Sequence, residues 1–200
     1  AAENLISAVY WAANGPDPTG YRDSSVVVLH AGSSDGSCSV LPGCATRKYH
    51  SSRRDAFKPI NQEPIAHVSL GPDGPSIEMG EPSAYDARTE AISPMMFDES
   101  TRIAQFVADA HLQPDMVQAA IDADYDALLF HGTGLGHLPI ADPQEDSPEN
   151  TRLRVMLADH CAGGGVVVVV TQTIHGPIHM DVYDKGRDQQ EMGIIGHGSL

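Results

Sequence analysis

The sequence predicts an α/β protein of two lobes, residues 1–98 and 99–200, built around parallel strands. Three observations lead there. Continuous apolar runs of strand length, Val26-Val27-Val28-Leu29, Ala127-Leu128-Leu129-Phe130 and Val166-Val167-Val168-Val169-Val170, have the composition of strands buried on both faces. Segments with apolar residues three and four apart lie between such runs. In the second half the order is strand, helix, strand, helix, strand with short connections, which implies a parallel sheet with right-handed crossovers.

In chain order, residues 1–13 read as an amphipathic helix whose inward face carries Leu5, Val9 and Ala12, joined by Ala2 and Ile6. Asn14-Gly15-Pro16-Asp17-Pro18-Thr19-Gly20 ends it, and the apolar strand 26–29 follows. Turn-rich stretches at 31–36 and 41–43 flank a short strand at 37–40. Pro59 and Pro64 punctuate the chain before a weak strand at 66–70. Residues 71–94, rich in Gly, Pro and acids without a sustained period, read as an extended connection that closes the first lobe.

The second lobe opens with a strand at 103–108. Pro114 then stands where a first helical turn accepts proline, and Met116, Val117, Ala120 and Ile121 form one apolar face behind it. The strand at 127–130 runs into a glycine-rich turn, His131-Gly132-Thr133-Gly134-Leu135-Gly136-His137. Residues 151–161 are expected to be helical with Leu153, Met156, Leu157 and Cys161 inward, stopped by Gly163-Gly164-Gly165. The core strand at 166–170 follows, and no closing element is read after it.

With 41% hydrophobic residues in 200, the chain can build a real core, and it has no apolar run near the ~18–20 residues of a membrane helix. The formal net charge is −15, dominated by aspartate, and the only lysines are Lys48, Lys58 and Lys185. Self-repulsion on this scale calls for screening, so a host with a salt-rich cytoplasm is expected. It also argues against free nucleic-acid binding, which needs a cationic surface. Cys38, Cys44 and Cys161 are odd in number and contain no CxxC pair, which speaks against a disulfide framework or structural zinc and for a reducing cytoplasm.

Four of the 12 Lys and Arg residues, Arg47, Lys48, Arg53 and Arg54, fall within eight positions. Two readings are open for Lys48. Neighbouring cations disfavour its protonation and suit it to act as a base towards a hydroxyl nucleophile, or it is an ordinary surface lysine in a basic loop. The glycine turn after Phe130 has GxGxG rather than GxGxxG spacing and no GKS or GKT, so it does not read as a nucleotide loop. Its place at the end of a strand suits a pocket or a domain interface. The ten histidines show no HExxH or facial-triad spacing, so no metal is expected. Ser51 and Ser52 beside His50 lack a GxSxG elbow, which leaves a Ser-His-Asp hydrolase poorly supported.

Several segments carry a resemblance. Asn4-Leu5-Ile6-Ser7-Ala8, Val27-Val28-Leu29-His30-Ala31, the run from Thr46 to Phe57 and Ile60-Asn61 resemble, in order, the asparaginase/glutaminase family. So do Gly132 to His137, Thr171-Gln172, Val182-Tyr183-Asp184 and Gly186-Arg187-Asp188. The run from Lys48 to Phe57 is similar to the branch of that family that serves the archaeal glutamyl-tRNA(Gln) amidotransferase. The resemblance implies an asparaginase-type fold: the later part of its N-terminal domain (1–98) and most of a smaller C-terminal α/β domain (99–200).

The resemblance also implies an amidohydrolase. A threonine hydroxyl attacks a side-chain amide, forms an acyl-enzyme and releases ammonia, activated by a relay of a second threonine, an aspartate and a lysine. Lys48 matches the lysine. The implied substrate is glutamine or asparagine, and the implied assembly is a homodimer. In the amidotransferase branch a partner subunit binds tRNA and uses ATP, and no cofactor belongs to this chain. The family's threonines and aspartate precede the helix that starts this sequence, and His131-Gly132-Thr133-Gly134 is not their counterpart. The expectation is therefore an internal fragment, inactive alone, holding one relay residue of four. A free L-asparaginase and a non-catalytic binding module are the alternatives.

Overall fold

The computed structural model describes residues 2–16, 25–80 and 95–196. The chain divides into two compact units, Ala1–Met95 and Met96–Leu200.

In the first unit, helix α1 (Ala2–Asn14) lies on a sheet of β1 (Val26–His30), β2 (Ser37–Pro42), β5 (Ala66–Gly71) and β6 (Gly74–Met79), in the order β1-β2-β5-β6. A hairpin of β3 (Thr46–Lys48) and β4 (Phe57–Pro59), entered through a 3-10 turn at Gly43–Ala45, carries the basic segment. The main sheet is antiparallel throughout, with Val28 opposite Val40, Val40 opposite Ala66 and Val68 opposite Ile77. This corrects the parallel strand expected at 26–29. An apolar run announces burial but not direction, and the six-residue turn 31–36 allows only an antiparallel return, since a parallel crossover needs a dozen or more residues. The four residues of that run are also only half-buried.

Two further readings change. Residues 74–79, read as connection, form β6: Pro72 and Asp73 make a tight hairpin turn, and Gly74 takes φ +105° to close it. Residues 81–94 of the same reading lie outside the described part. Helix α1 turns its other face to the sheet. Leu5, Ile6 and Val9 are exposed, whereas Ser7 is buried and Tyr10 and Trp11 pack on the core of Val40, Ile65, Ala66 and Val68. The two aromatic rings supply the large apolar surface on the face that meets the sheet. Two polar residues of the inner face find partners: Glu3 Oε1 accepts the Gly36 N–H, and Asn4 Oδ1 accepts the Cys38 thiol, whereas the buried Ser7 hydroxyl has no hydrogen-bond partner among the described residues.

The second unit follows the expected alternation. Strands β7 (Ile103–Val107), β8 (Ala127–Gly132), β9 (Val166–Thr171) and β10 (Ile195–Gly196) are parallel in the order β10-β9-β8-β7. Helices α2 (Pro114–Asp122), with its proline in the first turn, and α3 (Pro148–Ala162) connect them. Leu128, Phe130, Val167 and Val169 pack with Val117, Leu153, Leu157, Leu138 and Ile140, and the Phe106 and Phe130 rings stack at 5.2 Å. The central strands β8 and β9 bury alternate residues, so Val166, Val168 and Val170 are less covered than their neighbours.

Helix α4 (Asp184–Glu191) and β10 extend the structure beyond the last strand read from sequence. The helix Asp-Lys-Gly-Arg-Asp-Gln-Gln-Glu has no apolar stripe and buries only Gly186 and Gln189. Gly186 is needed there because an added Cβ would stand 2.1 Å from the Met180 carbonyl oxygen. Among the described residues no helix is long and apolar enough to cross a membrane.

Candidate active-site hairpin

Lys48 ends β3 opposite Phe57, and its Nζ stands 5.7 Å from the centre of the Phe57 ring. The hairpin closes through the Tyr49 N–H, which donates to the Ala56 carbonyl at 2.6 Å, and Ala56 and Ile60 anchor it in the interior. His50 shapes the turn, since its Nδ1 accepts the N–H groups of Ser52 and Arg53, each at 3.1 Å. That nitrogen is thereby occupied by the backbone rather than by a serine hydroxyl.

Whether the cations gather around Lys48 is open in the sequence, and in the structure Arg53 and Arg54 are each drawn to a carboxylate instead. Arg53 forms a fork on Asp55, with Nε and Nη2 each at 2.8 Å from a carboxylate oxygen. Its guanidinium holds the Asp55 carboxyl below the ordinary carboxylate range. Arg54 donates to Asp35 at 2.6 Å. Arg47 precedes Lys48 in the strand and so points to the opposite face of the ribbon. The physical reason is local neutrality: in an acid-rich chain, two of the three arginines find carboxylates at closer range than they find Lys48. Lys48 itself makes no ion pair among the described residues, and its ammonium rests on an aromatic face.

The glycine turn of the second unit is built differently. Thr133 bridges to His137 at the end of β8, with Gly134 at φ +51° and Gly136 at φ +100°. Buried Gln189 of α4 fastens the turn: its Oε1 accepts the Leu138 N–H at 2.8 Å and its Nε2 donates to the Gly136 carbonyl at 2.9 Å. The Thr133 hydroxyl donates to the His137 carbonyl at 3.2 Å. Ala108, Asp109, Thr133, His137, Leu138 and Lys185 line a cleft of about 350 Å³ there, at the carboxyl ends of β7 and β8. Burial, with Lys185 adding to it, pushes His137 below its usual value, and its Nε2 is buried without a hydrogen-bond partner.

One group among the described residues brings three metal-type donors within 4.8 Å of one another: Glu3, His30 and Asp35. The Arg54 guanidinium already occupies Asp35 Oδ1, so the positive charge at this point comes from the protein. Sequence reasoning missed this cluster. Glu3 lies 33 residues before Gly36 and far from His30 and Asp35 in the chain, and nothing in spacing or periodicity links it to them.

Residues 1–81 match the family described as asparaginase, N-terminal, and residues 102–200 match the glutaminase/asparaginase C-terminal domain. The chain belongs to the asparaginase/glutaminase family. Its similarity to a glutamyl-tRNA(Gln) amidotransferase subunit of Methanococcus maripaludis strain C5 is 30% identity over 98% of the chain and 42% of that relative. With the amidotransferase subunit of the same name from Methanopyrus kandleri it is 32% identity, over 98% of the chain and 39% of the relative. The chain thus spans well under half the length of these relatives. Among solved structures, the thermostable L-asparaginase from Thermococcus kodakarensis matches 99% of the chain and 51% of its own, with a TM-score of 0.69 at 21% identity. L-asparaginase I from Vibrio cholerae matches 98% and 51%, with a TM-score of 0.70 at 20% identity. These two show that the fold is of the asparaginase type.

Proposed function

We propose that this chain supplies the lysine of a threonine-based amidohydrolase relay, and that the complete gene product releases ammonia from glutamine for conversion of Glu-tRNA(Gln) to Gln-tRNA(Gln). The observation that supports it best is the state of Lys48 beside cations that are paired. Arg53, Arg54 and Lys58 are committed to carboxylates, while Lys48 ends a strand with its amine on a ring and no ion pair among the described residues. Among the described residues no carboxylate fixes the Lys48 amine in an ion pair, and an aromatic face holds it more weakly than a salt bridge would.

In this reading a threonine hydroxyl outside the chain's 200 residues loses its proton through the relay that includes Lys48 and attacks the side-chain amide carbon. The C–N bond breaks as ammonia leaves with a proton, and water then cleaves the acyl ester. Removing a positioned base of this kind costs ~10²–10⁴-fold in rate. The names of the amidotransferase relatives support the tRNA-dependent role, in which a partner subunit binds tRNA and uses ATP. A homodimer in the cytoplasm of a salt-rich host completes the proposal. The L-asparaginases among the solved structures favour asparagine hydrolysis as the second reading.

Lys48→Met in the complete gene product tests the assignment. The expected result is an unchanged circular dichroism spectrum with ammonia release from glutamine reduced at least ~100-fold. Near-normal release overturns the role of Lys48. Partner-independent turnover of asparagine in preference to glutamine favours the second reading.

A further inference from the structure

Beyond its buried Ala56 and Ile60, the hairpin that carries Lys48 is tied by charged side chains to the turn between β1 and β2. Arg54 Nη1 donates to Asp35 Oδ1 at 2.6 Å, and Lys58 Nζ donates to the Ala31 carbonyl at 3.4 Å. The turn is itself fastened to α1. Glu3 Oε1 accepts the Gly36 N–H at 2.5 Å, and Glu3 Oε2 lies 3.3 Å from His30 Nε2, which lies 3.4 Å from Asp35 Oδ1. His30 is only 4% exposed, so this end of the chain of contacts is shielded from water.

Acid and base alternate along it: Glu3, His30, Asp35, Arg54. An isolated exposed arginine–carboxylate pair orders little, but a network in which each carboxylate has several partners holds its geometry better. Asp35 is the shared member. Its carboxyl is held below the ordinary range by Glu3 first, then by His30 and Arg54. The hairpin adds its own internal fastening through the Arg53 fork on Asp55 and the Tyr49 to Ala56 bond, so a pull on Arg54 is transmitted to the end of β3 where Lys48 sits.

We propose that Glu3, His30, Asp35 and Arg54 form a brace, with Asp35 as its pivot, that positions the Lys48 hairpin. The catalytic consequence rests on the reading of Lys48 as the relay lysine. These four are positioning residues, since they act through the hairpin. Misplacing a catalytic group by about 1 Å costs up to ~10²-fold while leaving ground-state binding largely intact. Loss of the brace is therefore felt in kcat rather than in KM.

The test uses the complete gene product with Arg54→Gln, Asp35→Asn, the double variant, Arg54→Lys and Lys48→Met. Arg54 is exposed, so Arg54→Gln leaves the core untouched. The expected result is a roughly 10-fold fall in kcat for glutamine with KM within about twofold. The double variant should be no worse than either single one, and Arg54→Lys should recover part of the loss. Amide exchange at Tyr49 should quicken in Arg54→Gln. Fully additive losses, or unchanged kcat together with unchanged exchange at Tyr49, overturn the brace. If Lys48→Met retains full activity, the relay reading fails, and the exchange rate at Tyr49 still decides for or against the brace.

Discussion

The first unit covers four antiparallel strands with one helix, and its buried cluster consists of Val40, Ile65, Ala66 and Val68. The second covers four parallel strands with α2 and α3, and buries Phe130, Leu128, Leu153, Leu157, Val117, Val167 and Val169 among others. Their turns differ in a related way. The Lys48 hairpin adds surface ion pairs to its buried Ala56 and Ile60, while the glycine turn is fastened by a buried glutamine. A segment whose position depends on charge pairs can be shifted by single surface substitutions. One fastened from inside can be shifted only at a cost to folding.

The largest expected effect separates the two interiors. Phe130→Ala removes a fully buried ring stacked on Phe106 and should destabilise the second unit by about 3–5 kcal/mol. Val68→Ala, equally buried in the smaller cluster, removes two methyl groups and should cost on the order of 1.5 kcal/mol. Urea unfolding followed by amide exchange in each unit measures both. Equal losses would break the comparison, because they would mean that the small cluster carries as much of its unit as the large one does.

The same contrast explains what the sequence allowed to be read. The strands around Phe130 and Val167 were legible because their length, apolar continuity and intervening periodic helices all agree. In α1 they disagree. Leu5, Ile6 and Val9 form the better aliphatic stripe, yet Tyr10 and Trp11 pack on the sheet, and Glu3 and Asn4 find partners that lie some thirty residues away. The direction of β1 was encoded in the shortness of the turn 31–36 rather than in the strand. The basic run around Lys48 stood out in the sequence, whereas Asp35 did not, since one aspartate among the glycines and serines of its turn carries no local mark of the Arg54 and His30 that converge on it.

A smaller effect is expected at the fastening of the glycine turn. Gln189→Ala leaves the Leu138 N–H and the Gly136 carbonyl without their side-chain partner in the interior, which costs ~1–3 kcal/mol. Gln189→Glu preserves the acceptor for Leu138 but exchanges the donor to Gly136 for an oxygen, so it should not rescue the loss. Thermal melts of the two variants check this. A melt of Gln189→Ala that matches the parent would show that the turn holds by its backbone alone, removing the contrast with the Lys48 hairpin.

The smallest expected effect is a difference in acid sensitivity. Burial lowers the folded-state value of His137 from the usual 6.5, so between that lowered value and 6.5 the unfolded chain binds more protons than the folded one. Stability from this group therefore rises with pH across that window and is lost as pH falls below about 6.5. Asp55 and Asp35 have the opposite chemistry but a similar slope. Their folded values lie below the usual 3.8, so their contribution is present above 3.8 and disappears as pH falls through the folded values. Acidification from pH 7 should then loosen the surroundings of His137 before it touches the Arg53 and Arg54 pairs. Exchange rates at Leu138 and Tyr49, followed from pH 7 to pH 3, read the two regions separately once corrected for the intrinsic rate. Replacing His137 by asparagine should flatten the response at Leu138 between pH 6.5 and 5 and leave Tyr49 unchanged. If Leu138 in the parent shows no response above pH 4, His137 is not the group that makes the buried turn the more acid-sensitive of the two.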